Sequence, residues 1–95
     1  MSKTKEKQLV PKWFDGEIYK EGSTVRNPFS GEECELNSVE LSIYDFVVGA
    51  NRVLEEAYDK SVEPNDRMRK IYDDLHLGLD WFKEHNAKAY MVLLD

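Results

Sequence analysis

Two series of apolar residues at helical spacing fill the second half of this 95-residue sequence and are separated by one short break. Apolar residues that recur three and four positions apart share one face of an α-helix. The first series comprises Ile43, Phe46, Val47, Ala50, Leu54, Ala57 and Tyr58, and the second comprises Met68, Ile71, Tyr72, Leu75, Leu79 and Phe82. Residues 61–65 interrupt the pattern, with Pro64 placed for the first turn of a new helix. The sequence therefore predicts an antiparallel helix pair.

The ends of these helices carry capping signals. Asn37 followed three residues later by Glu40 is the arrangement of a capping box, in which each residue satisfies the other's backbone N–H. Ser42 with Asp45 offers a second start a few residues later. Asn86 marks the end of the second helix and is suited to cap a short last helix over residues 87–94.

The preceding segment, residues 13–36, indicates β-structure because aromatic and β-branched residues alternate with turn-forming pairs. Strands are predicted at residues 13–14, 17–19, 23–26 and 32–36. Residues 27–31, Asn-Pro-Phe-Ser-Gly, form the predicted turn between the last two. Such a short antiparallel meander of two or three strands needs a helix to cover one face. The predicted fold class is thus α+β, with the meander packed on the helix pair and a short C-terminal helix.

Charge divides the chain into a flexible basic tail, residues 1–11, and a single domain, residues 12–95. The net charge is −6, while residues 1–12 sum to +3, which leaves −9 for the remainder. A domain with this much negative charge repels the phosphates of nucleic acids, so no direct nucleic-acid binding is expected.

Cysteine content and hydropathy indicate a cytoplasmic protein. The only cysteine, Cys34, excludes an internal disulfide. No apolar stretch reaches the length of a membrane span, and no apolar segment follows the N-terminal lysines as in a signal peptide. Cys34 alternates with Leu36 on one strand face and is interpreted as a buried, inert thiol.

The sequence contains no motif for a cofactor and no recognised catalytic constellation. His76 and His85 match no zinc-binding spacing, so no metal site is assigned to them. The strongest carboxylate group consists of Glu55, Glu56 and Asp59 with Asp73. If these converged between the helices they would form a magnesium site and support a magnesium-dependent hydrolase; a solvated helix face is the alternative interpretation.

Aromatic residues are the more informative feature. Trp13, Phe29, Trp81 and Tyr90 are the candidate partner-binding residues, because tryptophan and tyrosine favour protein interfaces; the alternative is that they fill a small core. Residues 89–94 form an apolar end that must dock on the chain's own core or on a second subunit. Tyr90, Leu93 and Leu94 share one helical face and are predicted to pack between the hairpin and the second helix.

Three functional hypotheses follow. The first is a non-enzymatic accessory or protein-binding protein that binds a protein partner or forms a homodimer. The second is the magnesium-dependent hydrolase. The third is an acidic nucleic-acid mimic that inhibits a DNA-binding enzyme, which requires the negative charge to gather on one face.

Three segments also resemble known sequences. Residues 27–31, residues 40–46 and residues 89–95 look like the corresponding stretches of small uncharacterised proteins from phages and aquatic bacteria. The resemblance implies a compact accessory protein of phage or bacterial cytoplasmic origin and implies no activity.

Overall fold

The computed structural model describes residues 10–94 and has the predicted α+β architecture. Two strands, β1 (Ser23–Arg26) and β2 (Glu33–Leu36), form an antiparallel hairpin. Two long helices follow, α1 (Ser38–Asp59) and α2 (Asp66–His85), which pack against each other. A single helical turn, α3 (Ala87–Ala89), continues into a π-helical segment, Tyr90–Leu94.

The β-structure is smaller than predicted, because residues 10–22 contain no strand. The predictions of strands at residues 13–14 and 17–19 are wrong. The Phe14 backbone N–H closes a turn on the Pro11 carbonyl at 3.1 Å, and the Tyr19 backbone N–H donates to Ser42 Oγ at 2.9 Å. These two backbone N–H groups are satisfied by a turn and by a helix side chain, so they do not take part in the hydrogen bonding of a sheet. The aromatic residues that suggested strands pack against the helices instead.

The hairpin turn lies at residues 27–31, as the sequence predicted, between β1 and β2. Asn27 stabilises the turn, since its Oδ1 accepts hydrogen bonds from the backbone N–H groups of Phe29 and Ser30. Gly31 adopts the positive φ of 79° that the turn requires. In the resulting register Val25 lies opposite Cys34, and both pack against the core.

The capping box at the start of α1 is confirmed. Asn37 Oδ1 accepts from the Glu40 backbone N–H at 2.8 Å, and Glu40 Oε1 accepts from the Asn37 backbone N–H at 3.0 Å. Asn86 caps α3 as predicted, accepting from the Ala89 backbone N–H. Asn86 Nδ2 also donates to Glu40 Oε2 at 3.1 Å. The buried Glu40 carboxylate therefore joins the start of α1 to the junction between α2 and α3.

The start of α2 differs from the prediction by two residues. Asn65 is the N-cap, and its Oδ1 accepts from the Met68 backbone N–H at 2.9 Å. Pro64 consequently precedes the helix instead of occupying its first turn. A side-chain acceptor at Asn65 satisfies a helix-terminal donor, which proline cannot do.

The core lies between the two helices and is closed on one side by the N-terminal segment. Ile43 and Phe82 are fully buried at its centre. Phe14 packs edge-on against Phe46 with ring centroids 5.9 Å apart. The Tyr19 hydroxyl donates to Asp45 on α1, and this hydrogen bond raises the pKa of Tyr19. Residues 13–19 thus cover one face of the helix pair.

The C-terminal segment packs as predicted. Tyr90, Leu93 and Leu94 are half-buried against the core, and the segment contacts both β2 and α2. Asn27 Nδ2 donates to the Val92 carbonyl at 2.7 Å and fastens the segment to the hairpin turn. The last residues differ from the prediction only in helix type, since they are π-helical.

Gly22 sits where a side chain cannot fit, and Gly22→Ala is expected to destabilise the protein by about 1–3 kcal/mol or more. A Cβ at this position would lie 1.9 Å from the Leu36 carbonyl oxygen and 2.7 Å from Asn37 Cα. Both are backbone atoms beside the capping box, so relief requires a shift of the hairpin. Urea denaturation followed by circular dichroism measures the loss.

Gly49→Ala is the matched control. Nothing lies within 4 Å of a Cβ at this position on the exposed face of α1. The higher helix propensity of alanine should stabilise the protein by up to about 1 kcal/mol. Equal effects of the two substitutions would contradict the close approach at Gly22.

Candidate functional site

One face of the helix pair is left open, and it forms an apolar groove that is the candidate binding site. The N-terminal segment covers the opposite face. The groove face consists of residues from α1, α2 and the chain segments at one end of the pair: Val48, Asn51, Leu54, Tyr58, Tyr72, Leu75, His76, Leu79, Phe29, Leu93 and Leu94.

The groove is continuous along the helices. Its central cleft has a volume of about 640 Å³. A second cleft of about 340 Å³ shares Asn51, Leu75 and Leu79 with the first and reaches Phe29 at the hairpin turn. A third, of about 350 Å³, shares Leu54 and Tyr72 and reaches the loop before α2. The three clefts therefore extend along most of the helix pair.

Aromatic side chains project from both sides of this groove. Tyr58 is 85% exposed, Tyr72 is 53% exposed, and Phe29 is 96% exposed. The Tyr72 ring meets the His76 ring edge-on with centroids 4.4 Å apart. Large exposed aromatic groups around an apolar cleft are typical of protein-binding surfaces.

Helix geometry explains why these residues are exposed. Consecutive residues on an α-helix point about 100° apart, so Ile71 and Tyr72 cannot both face the same neighbour. Ile71 packs on the core and Tyr72 turns to the groove. Tyr58 lies in the last turn of α1, where it is exposed. Tyr58 and Tyr72 belong to the two apolar series, so their spacing predicted core positions for both, and this prediction is wrong. The direct adjacency of Tyr72 to Ile71 was the signal in the sequence that they could not share one face.

The charged residues of the groove are divided between the helices. Glu55 and Asp59 line the cleft on the α1 side. On the α2 side, Asp66 and Arg69 line the cleft near the loop and His76 lines the central cleft. Within residues 10–94 one ion pair forms, between Lys70 Nζ and Asp74 Oδ2 at 2.7 Å. The hydrogen bond of this pair raises the pKa of Lys70. Glu55, Asp59 and Arg69 thus form no ion pair inside the described part of the chain.

The four residues nominated from the sequence lie in different places. Phe29 is on the groove face. Trp13 is half-buried on the opposite side, where it contacts Phe14 and Phe46. Trp81 is a core residue, 6% exposed, with its ring stacked on His85 at 4.7 Å. Tyr90 is half-buried beneath Lys83, whose Nζ lies 5.2 Å from the ring centroid.

The carboxylates considered for a magnesium site do not assemble. Among residues 10–94, no group of three or more histidine, cysteine, aspartate or glutamate side chains is placed to hold a metal ion. Glu55 and Asp59 line the groove, whereas Glu56 points about 140° away around α1 from Asn51. The convergence that the hydrolase hypothesis required for Glu55, Glu56, Asp59 and Asp73 is therefore missing from the described residues.

The comparisons with known proteins supply no relative. No family model matches the chain, and neither a curated protein nor a solved structure is significantly similar to it. Within residues 10–94, neither long helix combines the length and apolar content that a bilayer crossing needs.

Proposed function

We propose that this chain is a small, non-enzymatic accessory protein of the cytoplasm of a bacterium or a phage-infected host, and that it binds a protein partner on its groove face. The observation that carries this proposal is the combination of a continuous apolar groove with projecting Tyr58, Tyr72 and Phe29. Soluble domains rarely leave a contiguous apolar face of this kind uncovered unless it binds something.

Charge supports a protein partner over nucleic acid. The net charge is −6, and the groove carries the carboxylates of Glu55, Asp59 and Asp66, so a polyanion would be repelled. The clefts are lined mainly by aliphatic and aromatic side chains, which suit the apolar centre of a protein interface.

A double substitution, Tyr58→Ser with Tyr72→Ser, tests the proposal. Both side chains are exposed in the free chain, so their loss should leave folding intact while removing the aromatic anchors. Affinity capture from the native host and mass measurement of the purified chain are expected to show a stoichiometric complex for wild type. The double variant is expected to lose at least about 90% of that binding, equivalent to about 1.4 kcal/mol.

Leu77→Ser is the matched control. Leu77 is also exposed on α2, but it lies five residues from Tyr72 and therefore about 140° around the helix. It should retain wild-type binding. A wild-type chain that binds no protein and stays monomeric, or a double variant that binds as well as wild type, would contradict the proposal.

A further inference from the structure

We infer that the groove face binds an amphipathic helix of the partner protein, and that this helix is basic at one end. The basic end lies at the loop end of the groove, which is the end beside residues 60–65. This inference rests on the proposed function and names the chemistry of the partner at that same site. Its basis is the distribution of charge along the groove, which is acidic at the loop end and uncharged at the hairpin end beside Phe29.

The loop end of the groove carries three carboxylates. Glu55 and Asp59 lie one turn apart on α1, and Asp66 is the first residue of α2. Arg69 also lines this end, so three carboxylates against one guanidinium leave an excess of two negative charges, with the neighbouring His76 counted as neutral. The four charged side chains are exposed and form no ion pair within the described part of the chain. They are therefore accessible to charged groups of a partner.

The end of α1 adds to this negative potential. The carbonyl end of a helix carries a partial negative charge, which basic side chains usually offset. The last turn of α1 contains no basic residue, and Lys60, the C-cap that follows, does not line the three clefts. The positive end of α2 lies at the same loop, but it already has Asp66 in its first turn. A cationic group beside Glu55 and Asp59 would therefore be stabilised.

The hairpin end of the groove differs in character. Its cleft is lined by aliphatic and aromatic side chains together with Asn51, and none of these residues is charged. A partner segment that fills the whole groove therefore needs apolar side chains along one face. It needs basic side chains at one end only.

The walls of the groove favour a helical segment. Both walls are helices whose backbone groups bond internally, so the groove offers side chains and no sheet edge. An extended segment would leave its own backbone groups without partners, whereas a helix satisfies them internally and presents an apolar stripe. The lining positions run from Val47 to Asp59 on α1 and from Asp66 to Leu79 on α2. This length, about 20 Å, corresponds to about 13 or 14 helical residues.

A second copy of this chain does not supply the required charge through its own groove face. A two-fold axis parallel to the helices would bring two loop ends together and place carboxylates beside carboxylates. An axis perpendicular to the helices would cover each loop end with an uncharged hairpin end and leave the carboxylates without counter-charges. Since like charges in contact and unpaired buried charges are both unfavourable, charge complementarity favours a basic partner.

Two designed helical peptides of about 14 residues test this inference. Both carry leucine at three- and four-residue spacing on one face and glutamine elsewhere. One has lysines at the outer positions of one end, and the other has glutamates at the same positions. Fluorescence anisotropy of each labelled peptide, titrated with the full purified chain, gives the Kd. The lysine peptide is expected to bind at least about tenfold more tightly than the glutamate peptide.

The variant Glu55→Lys with Asp59→Lys reverses the charge on the α1 side of the groove. It should raise the Kd of the lysine peptide about tenfold or more and lower the Kd of the glutamate peptide. Both side chains are exposed, and lysine is favourable near the carbonyl end of a helix, so the variant is expected to fold. Opposite changes for the two peptides cannot result from a loss of folding.

Glu56→Lys with Glu84→Lys is the matched control, since it makes the same change in net charge at exposed positions outside the three clefts. In about 0.15 M salt, where distant charges are screened, it should change either Kd by no more than about threefold. If this control weakens the lysine peptide as much as the groove variant does, net charge alone causes the attraction and the inference is overturned. Equal binding of the two peptides by wild type, or binding of neither, also overturns it.

The proposed function is judged separately, by the capture of a protein partner and its loss in the Tyr58/Tyr72 variant. If that capture and loss occur while neither peptide binds, or if the wild-type chain forms a dimer through this face instead, this inference fails and the proposed function stands. If the Tyr58/Tyr72 variant captures the partner as well as wild type does, the proposed function fails and this inference fails with it.

Discussion

Phe82→Ala is expected to lower the free energy of unfolding by about 3–5 kcal/mol. The Phe82 side chain is fully buried in the core, with 0% exposure, and its ring packs edge-on against Trp81 at 5.1 Å. Its removal leaves a cavity that the surrounding core residues cannot fill without moving. A domain of this size has about 5–14 kcal/mol of stability, so a large share would be lost. Urea denaturation followed by far-ultraviolet circular dichroism measures the change.

Phe29→Ala is the matched control, because it removes the same side chain from a position that is 96% exposed. Its effect on the free energy of unfolding should stay within about 0.5 kcal/mol. Comparable losses for the two substitutions would contradict the placement of Phe82 at the centre of the core.

Deletion of residues 87–95 is expected to lower the melting temperature by about 10 °C or more. The deletion removes the buried Ala89 and the half-buried Tyr90, Leu93 and Leu94 from the core. At about half the 1.5–3 kcal/mol of a fully buried large side chain, the three contribute roughly 3 kcal/mol. For a domain of this length each 1 kcal/mol corresponds to about 4–8 °C. The deletion also removes the hydrogen bond from Asn27 to Val92. Differential scanning calorimetry measures the shift.

Met91→Ala tests whether the effect comes from the packed side of the segment. Met91 is exposed on the same π-helical turn, so its truncation should change the melting temperature by no more than about 2 °C. If the shortened chain melts within a degree or two of the full chain, the segment is not part of the core, and its apolar side must be assigned to an external partner.

Much of the helical architecture follows from local sequence. The capping box of Asn37 and Glu40 depends on residues three apart, and so it forms wherever the helix forms. The hairpin turn depends on Asn27 and Gly31, whose conformational preferences are local. Helical periodicity identified Ile43, Val47, Leu75 and Phe82 as core residues, because a repeat of 3.6 residues maps directly onto one helix face. The N-cap of α2 was missed by two residues because Pro64 and Asn65 are both local start signals.

The candidate site could not be located from the sequence to the same degree. Trp81 and Phe29 are both large aromatic residues, yet one is 6% exposed and the other 96%. The sequence shows where the aromatic residues are, but it does not show which of them are buried. Their burial depends on which segments pack over them. The groove exists because residues 13–19 cover one face of the helix pair and the other face is left open.

Local sequence therefore predicts the two long helices, the caps formed by Asn37 and Asn86, the hairpin turn and the periodic core positions, since each depends on residues within about one or two helical turns of each other. Tertiary packing, in contrast, makes the aromatic N-terminal segment an irregular cover, brings Glu40 to Asn86 forty-six residues away, and leaves Tyr58 and Tyr72 exposed. These outcomes depend on which apolar surfaces pack together. Such packing is set by contacts between segments that are distant in sequence, and local sequence patterns do not report those contacts.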